Sequence, residues 1–546
     1  MNIDLRPDYI ELVQDILRKH LPEDAKVYVF GSRAKWTAKE FSDLDLAIDA
    51  GGKKLAKKIL NGLKEDFGES KLPYTVDVVD LNDITPEFRK IVETQKVTMP
   101  EPDISGWKSD KLINFCVQKD GVQTGPFGSQ LHQEDYVEEG TPIITVEHLG
   151  DNRILHQNLP KVSHEDKERL KKYSLQTGDI VFSRVGSVDR RSLVRSNEDG
   201  WLFSGRCLRV RIDPQKADPA YVSYYFGTES FKEYMRSIAV GATMPSINTK
   251  ILSDIQISVP SLSQQKVVGR IFATLDGKIE LNQRMNATLE VTAQALFKSW
   301  FVDFDPVRAK AEGRQPEGMD AATAALFPDR FTDSPLGEIP QGWNKQPLSE
   351  LIDLIGGGTP KTSKEEYWNG NIPWFSVVDA PAETDVFVID TEKKITPAGV
   401  ENSSTKILPY GTTIISARGT VGRVALVGVP MAMNQSCYGI QGKNGWCPFF
   451  TYLVIRRAVA ELQTRAHGSV FDTITRDTFK TINFVNPNSA VIEKFEKTIA
   501  PLMARILNNR KENVSLSQTR DLLLPRLISG KLRVRDAEQK IKEAIG

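Results

Sequence analysis

The sequence has little of what would build a disulfide framework, a zinc site or a membrane span. Its 546 residues include only four cysteines, none of them in a C-x-x-C pair, and six histidines without metal-ligand spacing. Disulfide-rich and zinc-based domains are therefore not expected, and a reducing cytoplasm suits the free thiols. There is also no run of 18 apolar residues and no basic-then-apolar leader, so neither membrane insertion nor secretion is predicted.

The sequence also lacks net charge, because 71 Lys and Arg balance 71 Asp and Glu. A protein that coats nucleic acid regardless of sequence is basic overall, so this class is disfavoured, whereas a reader with local positive charge stays open. Residues 184–211 hold seven arginines against three acidic residues, and residues 401–476 hold eight basic residues against three acidic ones. Either cluster alone is equally compatible with a solvated surface.

The region after about residue 105 repeats itself. "GWKSDKL" begins at 106 and "GWNKQPL" at 342; "LQTGDIVFSRVGSVDRRSLV" (175–194) aligns with "LPYGTTIISARGTVGRVALV" (408–427). Each copy then runs into a long helix-forming stretch, at 263–301 and 489–528. The matching segments occur in the same order in both copies, have glycines at corresponding positions and end in a helix-forming stretch. They therefore predict two modules of one fold, each followed by a long helix.

The two helical stretches carry the spacing of a coiled-coil seam. Apolar or small residues recur every three or four positions, at Leu275, Ile279, Leu289, Ala293, Leu296 and Trp300, and at Leu502, Ile506, Leu516, Leu523 and Leu527. The slots between them hold Asn282 and Asn286 in the first stretch and Asn509 and Asn513 in the second. The pattern predicts antiparallel pairing, roughly 55–60 Å long, with one module at each end.

The asparagines in the seam are expected to fix the alignment of the two helices rather than to contact a ligand. Pro501 is expected to kink the second helix or delay its start. A rod with a module at each end suits two DNA half-sites about one helical turn, roughly 34 Å, apart.

An ordered set of phrases within residues 106–535 resembles the specificity subunit of type I restriction-modification systems. The phrases are "GPFGSQL" (125–131), "GGGTPKT" (356–362), "SLSQQKVVGRIFATLDGKIELNQRMN" (261–286), "WFVDFDPVRAKAEG" (300–313) and "LLLPRLISGKL" (522–532). The resemblance implies two target recognition domains that read a bipartite double-stranded DNA target. It implies that the helices set the spacer and dock two methyltransferase subunits. Catalysis would belong to the partners: S-adenosylmethionine and adenine flipping to the methyltransferase, ATP-driven restriction to the restriction/translocase subunits.

Candidate DNA contacts come from arginines near the ends of short strand-like runs. "DIVFSR" and "TIISAR" are each followed by a glycine-containing turn. Arginine in such a place can donate two hydrogen bonds to guanine O6 and N7. We therefore predict that Arg184, Arg190, Arg418 and Arg423 contact DNA; the alternative is that each forms a surface ion pair. A scaffold without DNA readout is a third, disfavoured interpretation.

The N-terminal 99 residues hold a different constellation. "KVYVF" (26–30) predicts a strand, Gly31 and Ser32 a turn, "RAKWTAKE" a helix start and "DLDLAID" (43–49) a second strand. Strand periodicity points Leu44, Leu46 and Ile48 to the core and Asp43 and Asp45 to the other face. A third strand-like run, "YTVDVVDL" (74–81), offers Asp77. Three carboxylates beside a glycine turn can hold two Mg²⁺ ions across a nucleoside triphosphate.

This constellation resembles the minimal nucleotidyltransferases of the DNA polymerase beta superfamily. The resemblance spans about residues 5–99 and implies that Asp43, Asp45 and Asp77 are catalytic metal ligands. It also implies that Gly31 and Ser32 bind the nucleotide, ATP being the expected one. An alternative function follows: an adenylyltransferase of antitoxin type that the DNA-binding modules target.

The predicted fold class is α+β and multidomain. It comprises an N-terminal α/β nucleotidyltransferase-like domain, then two α/β recognition domains separated by two long helices that form an antiparallel coiled coil. The boundaries are: nucleotidyltransferase-like domain 1–99, linker 100–106, first recognition domain 107–260, first helix 261–304, linker 305–341, second recognition domain 342–487, second helix 488–530 and tail 531–546.

Overall fold

A computed structural model describes most of the chain in two units, residues 1–104 and 105–546, which are treated separately below. The described residues are 7–22, 24–35, 42–70, 72, 74–99, 107–127, 130–241, 243–334, 337–381, 385–465, 473–530 and 532. The predicted linker 100–106, part of the "RAKWTAKE" segment and the tail 531–546 apart from Leu532 lie outside them. Within the described residues, no helix has the length and apolar character needed to cross a membrane.

A four-stranded sheet is the centre of the first unit. Its strands are β1 (Lys26–Phe30), β2 (Leu44–Asp49), β3 (Val76–Asp80) and β4 (Val97–Thr98), and its helices are α1 (Pro7–His20), α2 (Gly31–Ala34), α3 (Lys57–Gly68) and α4 (Pro86–Gln95). The strand order is β3-β2-β1-β4. β1 runs antiparallel to β2 and β4, whereas β2 and β3 are parallel.

The alternation of β2 places its apolar side chains as the sequence predicts. Leu44, Leu46 and Ile48 are fully buried and pack with residues of α1 and α3. Ala47, on the face that carries the aspartates, is also buried, because Val92 of α4 covers that part of the sheet. This face of β2 is therefore covered at Ala47 and partly exposed on either side of it, at Asp45 and Asp49.

The described residues of the first recognition module form ten strands and five α-helices. The strands are β5 (Lys108–Lys111), β6 (Val122–Thr124), β7 (Tyr136–Val137), β8 (Thr141–Ile144), β9 (Lys161–Val162), β10 (Ile180–Ser183), β11 (Arg191–Leu193), β12 (Leu202–Phe203), β13 (Cys207–Val210) and β14 (Gln256–Val259). The helices are α5 (Leu112–Phe115), α6 (His164–Arg169), α7 (Pro219–Tyr225), α8 (Glu229–Ile238) and α9 (Thr249–Asp254). The long helix α10 (Leu262–Phe301) follows.

The connection and the second module follow α10. The connection contains α11 (Asp305–Ala311), α12 (Ala321–Ala324), β15 (Phe331–Thr332) and β16 (Ile339–Pro340). The strands of the second module are β17 (Asn344–Pro347), β18 (Ile352–Gly356), β19 (Trp368–Phe375), β20 (Phe387–Val388), β21 (Lys394–Ile395), β22 (Thr413–Ser416), β23 (Val424–Val427), β24 (Ala432–Met433), β25 (Cys437–Gly442) and β26 (Asn483–Asn486). Its helices are α13 (Leu348–Leu351), α14 (Pro397–Glu401), α15 (Pro448–Arg465) and α16 (Thr478–Thr481), and the second long helix is α17 (Ser489–Ile528).

The two modules share a topology, which explains the sequence repeat. The sheet order β6-β13-β10-β11 in the first matches β18-β25-β22-β23 in the second, where β20 adds an edge strand. In each module the strand after the Gly-Trp pair is antiparallel to the strand that precedes the long helix, β5 with β14 and β17 with β26. In each module, this pairing brings the start of the module next to the start of its long helix.

The helices α10 and α17 pack antiparallel and form the rod that the repeat predicts. Asn509 Nδ2 donates to Asn286 Oδ1 at 2.9 Å, and Asn282 Nδ2 donates to Asn513 Oδ1 at 2.9 Å. All four asparagines are buried. Since each amide faces an amide of the other helix, the polar layers align the two helices, as predicted.

The described residues of the segment 305–341 form short helices and strands and pack on the second module. Val307 and Phe327 join Trp343 in the core that also contains the ends of both long helices. The expectation that Pro501 delays the second helix is wrong. α17 begins at Ser489, where the Asn488 side chain accepts from the Val491 amide, and it continues through Pro501.

The four cysteines are free thiols. Cys116, Cys207 and Cys437 are buried, and burial raises the pKa of each to about 12. They are core residues without the thiolate character that reactive cysteines need.

Candidate functional site

The first unit brings the predicted carboxylates to one edge of its sheet. Asp43 directly precedes β2, Asp45 is its second residue, and Asp77 lies opposite Asp45 on the parallel strand β3. Gly31 and Ser32 are the first residues of α2, directly after β1. Asp43 and Asp77 are exposed and Asp45 is half-buried. The register therefore places all five predicted residues around the start of β2.

The carboxylates influence one another. Partial burial raises the pKa of Asp45, and the charges of Asp77 and Asp43 raise it further, whereas Arg33 opposes the shift. Gly31 has a φ of +72°, and a Cβ on it would lie 2.2 Å from Asp45 Oδ2. Glycine is therefore favoured at the start of α2, mainly by the backbone conformation, and a Cβ there would also displace the adjacent carboxylate.

The donor chemistry of this cluster fits a hard divalent cation such as Mg²⁺, which prefers carboxylate oxygens. Burial is the main cause of the raised pKa of Asp45, and the charges of Asp77 and Asp43 raise it further; a bound cation would offset that repulsion. Across the described part of the chain, no three His, Cys, Asp or Glu side chains converge closely enough to hold one ion already.

Arg33 is a component of this site that sequence reasoning missed. Its buried guanidinium donates to the Ser42 carbonyl from Nε at 3.1 Å and from Nη2 at 2.6 Å. The same group lies 3.9 Å from the centre of the Tyr74 ring. It thus connects the Gly31 turn to the residue before Asp43 and to the segment that enters β3. The only signal in the sequence is its position directly after Gly31 and Ser32.

In the first module, Arg184 and Arg190 lie at opposite ends of the connection between β10 and β11. Arg190 is exposed, and its backbone carbonyl accepts from the Ser183 amide at 3.0 Å. Arg184 is half-buried, with Nη1 donating to the Gly205 carbonyl at 3.1 Å. Its guanidinium lies 4.7 Å from the centre of the Phe127 ring. Phe127, within "GPFGSQL", is 48% exposed, a feature that the sequence alone does not reveal.

In the second module, Arg418 and Arg423 occupy the matching connection between β22 and β23. The Ser416 amide donates to the Arg423 carbonyl at 2.9 Å, as Ser183 does to Arg190. Both Arg418 and Arg423 are exposed. Arg190 and Arg423 are thus equivalent in structure, whereas Arg184 and Arg418 have no arginine counterpart.

Much of the positive charge counted in the two clusters is used within the fold. Arg191, Arg195, Arg209 and Arg211 pair with Asp151, Glu280, Asp120 and Asp179, and Arg456, Arg457 and Lys443 pair with Glu290, Glu461 and Asp353. Within the described residues, no ion pair involves Arg184, Arg190, Arg418 or Arg423. The number of basic residues in each cluster therefore overstates the positive charge available to a ligand. The four predicted arginines are still not neutralised by an ion pair within the described residues.

Comparison with known families divides the chain in the same way. The sequence model of the type I restriction modification DNA specificity domain matches residues 124–291 and 340–516, which together exceed half of the chain. The sequence model of the polymerase beta nucleotidyltransferase domain matches residues 11–103.

Individual relatives follow this division. The type I restriction enzyme HindI specificity subunit of Haemophilus influenzae is 28% identical over 438 residues, which are 72% of this chain and 95% of that subunit. The probable protein adenylyltransferase MntA of Haemophilus influenzae is 38% identical over 101 residues, which are 18% of this chain and 87% of that protein. The crystal structure of the type I restriction-modification S subunit from M. genitalium is 14% identical, with a TM-score of 0.48, and covers 77% of this chain and 96% of that one.

Proposed function

The chain belongs to the type I restriction modification DNA specificity family, and on this premise we propose that its two modules read the two halves of a bipartite double-stranded DNA target. The observation that carries the proposal is the equivalent placement of Arg190 and Arg423 on matching connections at the two ends of the rod. Exposed arginines without an intramolecular ion pair are available to phosphates or to guanine edges. The neighbouring residues differ between the modules, so the two half-sites should differ in sequence.

The rod is the element that docks partners and fixes the distance between the half-sites. We propose that two methyltransferase subunits bind to it and supply S-adenosylmethionine and the methylation chemistry. Restriction/translocase subunits would join the same assembly in the cytoplasm. In this function the chain contributes recognition and no catalytic group.

A methylome tests this proposal directly. The chain is expressed with the methyltransferase subunit encoded beside it, in a host that lacks both, and N6-methyladenine is mapped by single-molecule sequencing. The expected result is one new motif of two unlike halves around a fixed gap. Assembly of the complex without a new motif would contradict the recognition function.

The N-terminal unit supports a second function, the transfer of a nucleotide from ATP with Mg²⁺. Three observations favour it: the carboxylates at one sheet edge, the positive φ of Gly31 beside Asp45, and the 38% identity to a probable protein adenylyltransferase. In this function Asp43, Asp45 and Asp77 would hold the metal, and Gly31 and Ser32 would contact the triphosphate.

Labelled ATP separates this function from recognition. The purified chain, alone and with its methyltransferase partner, is incubated with Mg²⁺ and ATP labelled in the α-phosphate and in the adenine. Transfer of both labels to protein is expected, with loss in the Asp43→Asn/Asp45→Asn variant and retention in Glu65→Gln, a change at an exposed carboxylate on α3. Absence of labelling by the unmodified chain under both conditions would contradict the proposal.

A further inference from the structure

Each recognition module is joined to the rod through a carboxylate on α10. At the first joint, Asp276 Oδ2 accepts from the Tyr224 hydroxyl of α7 at 2.6 Å. Asp276 Oδ1 accepts from Arg520 Nη1 of α17 at 2.9 Å. The side chains of Asp276 and Arg520 are only 11% and 19% exposed. One carboxylate therefore connects the module to both helices of the rod.

The first joint extends into the module towards its candidate DNA-contacting connection. Arg520 lies 3.7 Å from Asp151, which in turn pairs with Arg191 at 3.1 Å. Arg191 Nε also donates to the Ser223 carbonyl of α7 at 2.9 Å. Arg191 directly follows Arg190, so a continuous chain of polar contacts leads from α17 to that connection.

The second joint uses the same chemistry. Glu290 of α10, which is 3% exposed, accepts from the Tyr452 hydroxyl of α15 at 2.9 Å and pairs with Arg456. A second contact joins Asp385 of the module to Arg510 of α17 at 3.3 Å. At both ends, a carboxylate on α10 is thus held by a tyrosine and an arginine.

We propose that these two joints determine which spacer lengths the protein accepts between its half-sites, a role that rests on the proposed DNA-recognition function. Asp276 and Glu290 lie on one helix, roughly 21 Å apart along its axis. One added base pair moves a half-site by about 3.4 Å and turns it by roughly 35°. Apolar contacts between each module and the rod are non-directional, whereas charge-assisted hydrogen bonds are directional and resist such a shift. The joints therefore hold each module at one distance and one angle.

Conservative variants can weaken each joint without creating a large cavity in the core. Tyr224→Phe and Tyr452→Phe remove only the hydroxyl that reaches the carboxylate, and Tyr234→Phe, at an exposed tyrosine on α8, is the matched control. Arg520→Met removes the arginine from the first joint. Its control is Arg505→Met, since Arg505 is exposed on the same helix, α17, and has no ion pair within the described residues.

The test compares two kinds of discrimination in the complex with the methyltransferase. Methylation rates are measured on the native target, on targets with one base pair added to or removed from the spacer, and on a target with one half-site base changed. Loosened joints should lower discrimination against altered spacers about tenfold or more. Discrimination against the changed base should stay the same.

The possible results separate this inference from the DNA-recognition function on which it rests. Unchanged spacer discrimination in Tyr224→Phe, Tyr452→Phe and Arg520→Met would overturn the inference and leave the recognition function standing. Equal loss of spacer and base discrimination would also overturn it, because this indicates general loosening of the module. An unmodified chain without any bipartite preference would overturn both.

Discussion

Arg190 and Arg191 are neighbours in the sequence with opposite environments, so replacing each by glutamine should separate DNA binding from folding. Arg190 is exposed and, within the described residues, has no ion pair. Arg191 has a side chain that is 4% exposed, pairs with Asp151 at 3.1 Å and donates to the Ser223 carbonyl at 2.9 Å. The two changes have the same chemistry and adjoining positions, and each serves as the control for the other.

The magnitudes follow from these contacts. Arg190→Gln should change the free energy of unfolding by less than about 0.5 kcal/mol, because the side chain is exposed and, within the described residues, makes no ion pair or hydrogen bond. If Arg190 contacts DNA, its loss should cost about 1–3 kcal/mol of binding, or roughly 5- to 150-fold in Kd. Arg191→Gln should cost about 2–4 kcal/mol of stability, because it leaves the buried Ser223 carbonyl without its cationic donor and removes one of the two arginines beside Asp151.

Two assays are sufficient. Urea unfolding followed by tryptophan fluorescence reports stability, and titration of the methylome-derived target duplex at several salt concentrations reports affinity. A lost phosphate contact should reduce the slope of log K against log salt by about 0.9, whereas a lost base contact should relax selectivity at one position. If Arg190→Gln binds DNA like the unmodified chain, Arg190 is not a DNA contact. If Arg191→Gln is as stable as the unmodified chain, the buried contacts of Arg191 do not stabilise the fold.

Three further predictions concern the rod and the acidic site. Asn286→Leu or Asn509→Leu alone should cost about 1–3 kcal/mol by leaving one buried amide unpaired, whereas the double variant should cost much less than their sum; additive losses in urea unfolding would contradict this. Asp45→Asn should raise the Tm of the N-terminal unit at pH 7 without divalent cations, and abolish any rise that Mg²⁺ causes. The pKa of Asp45 is raised in the folded state, so ionisation as pH rises destabilises this unit, and a lower Tm would contradict the prediction. Gly31→Ala should lower that Tm, because positive φ costs about 1–2 kcal/mol and the new Cβ meets the Asp45 carboxylate; an unchanged melt would show that the turn can relax.

The architecture was readable from the sequence where the signal is periodic or repeated. Alternation placed Leu44, Leu46 and Ile48 in a sheet core, and the duplicated pattern of three and four predicted two long helices with matching asparagines. These signals are local, since each depends on the geometry of one strand or one helix. Strand periodicity also placed Asp43 and Asp45 on one face of a strand, whereas their role as metal ligands stays a prediction.

The partner of each charge was decided only by the tertiary structure. Seven arginines within residues 184–211 look equivalent along the chain, yet Arg209 and Arg211 bind Asp120 across the sheet while Arg190 stays exposed. Asp276 and Arg520 are 244 residues apart in sequence and 2.9 Å apart in space. Periodicity shows which face of an element a residue occupies. It does not show which distant side chain meets it there, because that depends on how the elements pack.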